Sequence, residues 1–178
     1  MAEKLKFELT LFPNPLLRRP CPPVEAFDDE LRATVEAMYE LMYASQGVGL
    51  AAPQVGLRKR ILVLNPTGKP EDELTLINPV LIEKSGPEVM FEEGCLSFPA
   101  IYAEIERPDR CRVEACDVDG NPIQGEYEGF ISRIIQHEQD HLEGVLLVDR
   151  MSPADKQRHR AALEDLVEGY KRRQGASR

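Results

Sequence analysis

The chain has 178 residues, enough for one compact domain that buries roughly two-thirds of the surface its unfolded form would expose. With 42% hydrophobic and 30% charged residues, no tryptophan and a net charge of −9, it reads as an ordinary globular protein and not as a disordered, collagenous or nucleic-acid-coating chain. Three histidines and four cysteines are the scarce residues able to bind a transition metal.

Charges at Glu3, Lys4, Lys6 and Glu8 stand where a secretory leader would be apolar, and no run approaches the roughly eighteen apolar residues of a membrane span. A cytoplasmic protein with no membrane partner is expected, so Cys21, Cys95, Cys111 and Cys116 should be reduced thiols and not disulfides. Pro13, Pro15, Pro20, Pro22 and Pro23 then interrupt helix and strand, which predicts an irregular opening on the surface. Over 28–46, Leu31, Val35, Met38, Leu41 and Met42 recur at three- and four-residue steps, with Asp28 as N-cap and Gly47 as the stop. Small residues dominate 47–56, either as a loop that lets backbone approach a ligand or as a plain helix-to-strand turn.

Short β-branched runs follow at 60–65, 74–84, 89–91, 101–106 and 112–118, separated by Asn-Pro, Gly-Pro and Asp-Gly turns. Cys111 and Cys116, five apart in such a run, should point to opposite sheet faces. Helical spacing returns over 130–142, closed by Gly144, and Ser152-Pro153 opens a last helix over 152–173. The order predicts a single α+β domain over 1–178, with mostly antiparallel sheets packed around a central helix and a C-terminal helix beyond.

His137-Glu138-Gln139-Asp140-His141 falls inside that central helix. A spacing of four stacks both imidazoles on one face, where they reach one metal ion; Glu138 is turned aside toward a water at the metal, the place of a general base. A catalytic ion takes three protein ligands, so one is missing. His159 is flanked by Arg158 and Arg160 and should be solvated. Cys95, in Glu93-Gly94-Cys95-Leu96-Ser97, is the better candidate, since a thiolate suits a borderline-soft divalent ion. Gln54 adds an uncharged amide donor of the type that holds a developing oxyanion.

Gly47 to Gln54, Glu93 to Ser97 and Gln136 to His141 together resemble the three motifs of peptide deformylases, Gly-x-Gly-x-Ala-Ala-x-Gln, Glu-Gly-Cys-Leu-Ser and Gln-His-Glu-x-Asp-His, in that family's order. The resemblance implies a bacterial enzyme that removes the formyl group from formyl-methionine of nascent polypeptides and releases formate. It implies Cys95, His137 and His141 as metal ligands, Glu138 as acid/base, Gln54 and the Leu96 backbone amide as oxyanion donors, and Gly49 as a partner of the substrate main chain. Iron(II) is the implied metal, with Zn(II), Ni(II) or Co(II) as substitutes. Val48, Phe98, Ile134 and Leu50 are candidates either for a methionine-sized pocket or for plain core. Where many family members place an arginine soon after the cysteine motif, Ser97-Phe98-Pro99-Ala100-Ile101-Tyr102 has none, so the contact at that rim should differ.

A metallopeptidase would share the helix motif but not the other two, and a silent metal- or peptide-binding protein would have no use for Glu138. Residues 150–178 carry eight Lys/Arg against four Asp/Glu, leaving 14 − 27 = −13 on residues 1–149. The resemblance makes this basic end a candidate contact with the ribosome, whose RNA phosphates it would suit; the alternative is that the cations complement the C-terminus of a helix.

Overall fold

A computed structural model describes residues 5–176; the charges read at Glu3 and Lys4 and the terminal cation Arg178 lie outside them. The first helix, α1 (Asp29–Ala44), starts as expected: the Asp28 carboxylate accepts the Leu31 N–H, and Asp29 and Glu30 complement the positive end of the helix. Its stop differs. The chain leaves the helix at Ser45 and makes its left-handed turn at Gln46, with φ of 57°, one residue before the expected glycine. Gly47 has another task, because a Cβ there would stand 2.7 Å from Leu96 Cδ1.

Among the described residues five strands, β1 (Gly49–Ala51), β2 (Ile61–Leu64), β3 (Leu74–Cys95), β4 (Phe98–Cys116) and β5 (Pro122–Glu128), form one antiparallel sheet in the order β1-β2-β3-β4-β5. The predicted runs at 74–84 and 89–91 are one strand, and so are those at 101–106 and 112–118. The reason is a bulge: Glu88 pairs with Pro108, and the register shifts between Ser85 and Glu88, so Gly86 and Pro87 are absorbed without ending the ladder. The small-residue segment is itself partly strand, since Gly49 pairs with Leu64 and Ala51 with Leu62. Strand β5 went unpredicted.

The run Ile61–Leu64 is buried on both faces, and its alternation divides the core. Ile61, Val63 and Ile77 pack with Leu31, Val35, Met38 and Met42 of α1, each such side chain worth about 1.5–3 kcal/mol on burial. Leu62, Leu64 and Leu76 pack with Ile134, Ile135 and Leu142 of α2 (Gly129–Leu142) on the opposite face. Cys111 joins the second cluster and Cys116 borders the first, which agrees with their expected divergence, and all four cysteines are free thiols. From Ser132 to Leu142 every residue of α2 is buried, so its charged members must find partners inside the protein.

Three helices close the chain: α3 (Leu147–Arg150), α4 (Pro153–Arg158) and α5 (Arg160–Ala176). Ser152 caps α4 as expected, its hydroxyl accepting the Asp155 N–H at 3.0 Å, but the single helix predicted over 152–173 is interrupted at His159. Leu163 and Leu166 pack against a third cluster containing Leu17, Phe98, Ile101, Ile105, Leu147 and Met151. The irregular opening is less superficial than its prolines implied. Leu17 is fully buried, the Thr10 N–H donates to the Gln54 carbonyl at 2.7 Å, and the Phe12 N–H donates to that of Ser97 at 3.0 Å.

Candidate active site

Three elements meet at one cleft of about 550 Å³. The end of β3 brings Glu93 and Cys95, α2 brings His137 and Glu138 with His141 buried one turn further on, and the turn after β1 brings Gln54. One donor atom from each of Cys95, His137 and His141 lies within 4.8 Å of the others. Cys95 Sγ is 3.3 Å from His141 Nε2, close to the roughly 3.5 Å that separates a sulfur and a nitrogen sharing one tetrahedral ion at ordinary bond lengths.

The protonation of these groups follows from what surrounds them. Burial, reinforced by the positive charges of His137 and Arg107, pushes His141 well below the usual imidazole range, so it is neutral and free to ligate. Burial acts the same way on His137, but the Cys95 sulfur and the Glu93 carboxylate outweigh it and draw positive charge to this ring. Its Nδ1–H donates to Glu93 Oε2 at 3.0 Å, which leaves Nε2 for the cleft. The donor set therefore fits a borderline-soft divalent cation: a thiolate, a neutral imidazole, and an imidazole whose surroundings favour a cation at its free nitrogen.

Glu138, one residue after His137, is buried as well. Burial pushes its carboxyl up to about 7, against the pull of His137, and its Oε2 has no hydrogen-bond partner among the described residues. Gln54 is fixed from behind: its Oε1 accepts the Ala51 N–H at 2.9 Å, so the amide nitrogen faces Ser97 Oγ at 3.3 Å and Cys95 Sγ at 3.6 Å. Gly49 sits on the open edge of the sheet and lines the cleft together with Val48, Leu96, Phe98 and Ile134. Leu50 does not. It is fully buried in the cluster under α1, because alternation along β1 turns it away from its neighbours Gly49 and Ala51. His159 is also remote from the ligand cluster, partly exposed and bonded to the Tyr102 carbonyl.

A family model described as polypeptide deformylase matches residues 6–157. The chain belongs to the polypeptide deformylase family. It is 43% identical over 166 residues to the peptide deformylase of Thermotoga maritima, covering 93% of this chain and 99% of that one. It is 42% identical to the chloroplastic peptide deformylase 1B of rice, over 98% of this chain and 67% of the rice protein. Among solved structures, the peptide deformylase of Plasmodium falciparum superposes with a TM-score of 0.90 at 41% identity, over 92% of this chain and 97% of that one. Peptide deformylases hydrolyse the formyl amide on N-terminal methionine, and this enzyme acts on formylated nascent peptides; a general metallopeptidase is not favoured.

Beneath this deformylase cleft lies a charged layer that spacing did not reveal. Arg107 on β4 holds Glu93 with two bonds of 2.7 and 3.0 Å and donates to Asp140 at 2.9 Å. Arg133 donates to Glu93 at 2.7 Å and to the carbonyls of Ile105 and Val89, while its guanidinium lies 5.4 Å from the centre of the Phe91 ring. Arg150 closes the set through Asp140. Burial opposes ionisation of Glu93, yet its bonds to His137 and Arg107 hold the carboxyl well below the usual range. The one sequence signal for Glu93 was its place two residues before Cys95, the spacing that puts both side chains on the same face of a strand.

Proposed function

We propose that deformylation is carried out by Glu138, Gln54 and Leu96 around a divalent ion held by Cys95, His137 and His141. The ion is proposed to be Fe(II), with Zn(II), Ni(II) or Co(II) as substitutes; when bound it supplies a Lewis acid that polarises the formyl carbonyl and acidifies water. Glu138, with a proton affinity near neutral pH, takes a proton from the attacking water and passes it to the departing methionine nitrogen. Gln54 Nε2 and the Leu96 backbone N–H donate to the formyl oxygen as it gains charge. Gly49 offers its unpaired strand edge to the substrate main chain. Val48 and Ile134, joined by Phe91 and Phe130 whose rings lie 6.0 Å apart, enclose the methionine side chain. Formate leaves, and the peptide keeps a free amine.

The observation that carries this reading is the convergence of Cys95, His137 and His141 beside a buried Glu138 with an unpartnered oxygen. After anaerobic purification and metal analysis, Glu138→Gln should retain metal and release formate at least about 100-fold more slowly. Formate release unaffected by that substitution would sink the mechanism.

The whole chain acts in this proposal as one catalytic domain in a bacterial cytoplasm, a setting supported by bacterial relatives matched over almost their full length. No helix among the described residues is long and apolar enough to cross a membrane. The basic end, with Lys171, Arg172 and Arg173 exposed on α5, is proposed to dock on ribosomal RNA. Truncation after Leu166 keeps the packing of Leu163 and Leu166 and should weaken ribosome co-sedimentation at low salt.

A further inference from the structure

Two of the three histidines belong to the site; the third, His159, is committed elsewhere. It ends α4 at the junction with α5, and its Nε2–H donates to the main-chain carbonyl of Tyr102 at 2.7 Å. That carbonyl lies at the end of an irregular piece of β4. Cys95 pairs with Phe98 while Gly94 pairs with Tyr102, so Pro99, Ala100 and Ile101 bulge out of the ladder. Ala100 takes a left-handed φ of 60°, a conformation that a residue with a Cβ adopts only when its surroundings hold it there.

This bulge is the outer wall of the cleft. Tyr102, where the chain rejoins the ladder after it, is 56% exposed, and its ring lies so close over Gly94 that a Cβ there would be 2.7 Å from Cε1. Gly94 immediately precedes Cys95. Phe98 and Ile101 anchor the lower part of the bulge in the cluster that receives Leu163 and Leu166 of α5. His159 ties its upper end to the same helical segment.

We propose that His159 is a positioning residue for substrate: through the Tyr102 carbonyl it sets the lip over which the peptide beyond formyl-methionine leaves the site. This rests on the deformylase reading of the cleft. His159 acts through Tyr102 and touches no reacting atom, so its influence falls on the binding of longer peptides and not on the chemical step.

The test compares formate release from a formyl-methionine amide and from a formylated tetrapeptide, together with amide exchange over residues 94–102. His159→Ala should raise KM for the tetrapeptide about three- to tenfold, the range expected for one hydrogen bond, leave kcat and the KM for the short substrate within about twofold, and speed exchange along the lip. His159→Gln keeps an N–H donor and should recover most of both effects. Unchanged tetrapeptide KM with unchanged exchange would overturn the proposal; so would an equal loss of kcat on both substrates accompanied by a lower Tm, which would assign His159 to stability alone. Formate release by the parent enzyme checks the deformylase reading separately, and the exchange comparison reads the lip whatever that result.

Discussion

Gly49 is the position where the site tolerates least added volume. A Cβ there would stand 2.6 Å from Glu138 Oε1 and 2.6 Å from Ile134 Cγ2, so β1 and α2 approach each other as closely as backbone and side chain can. Gly49→Ala is expected to lose about 1–3 kcal/mol in urea unfolding and to lower kcat/KM for formylated peptides, because Glu138 must move to make room. The residues proposed to do the chemistry stand out in the sequence for a physical reason: His137 and His141 meet within one helical turn, and Cys95 and Gln54 sit in short motifs rich in small residues. The residues that orient them do not. Glu93 finds its partners 14 and 40 positions away in Arg107 and Arg133, and no local spacing reports a bond of that span.

At the scale of elements, those long-range bonds fasten α2 to the sheet. Arg107 on β4 joins Glu93 on β3 to Asp140 on α2, and all three are buried, so removing the guanidinium leaves Glu93 to Arg133 and His137 alone and Asp140 to Arg150 alone. Arg107→Met breaks three buried charge-assisted hydrogen bonds while Arg133 and Arg150 stay in place, and should cost about 2–3 kcal/mol in chemical denaturation, far more than loss of the exposed surface pair Arg160–Glu164. The strands show where sequence reading runs out. Apolar alternation located β2, the start of β3 and most of β4, but Gly86-Pro87 reads as a turn because the bulge that accommodates it depends on the opposite strand. Strand β5 carries Gly125 and the acids Glu126 and Glu128 in an exposed alternation, so its identity comes from pairing with β4 and not from its own composition.

For the whole molecule, the metal proposal predicts linkage between binding and folding. Dialysis against a chelator should abolish formate release and lower Tm, and anaerobic return of Fe(II) should restore both; at free metal 100 times Kd the stabilisation is about 2.7 kcal/mol. A thermal denaturation series with graded metal checks this, and a Tm indifferent to metal would count against the three-ligand site. The sequence foresaw an acidic body with a basic end, yet where that end is attached needed the packing of Leu163 and Leu166 to be seen. The layer of Arg107, Arg133 and Arg150 with Glu93 and Asp140 bears on heat. Charged groups give up hydration more readily as temperature rises, while apolar burial gains little more, so a floor built from ion pairs weakens less on warming than a greasy one. Exchange measured from 25 °C upward should find amides of β5 opening first and those around Glu93 and His137 last, keeping the catalytic geometry intact until the rest of the protein is close to melting.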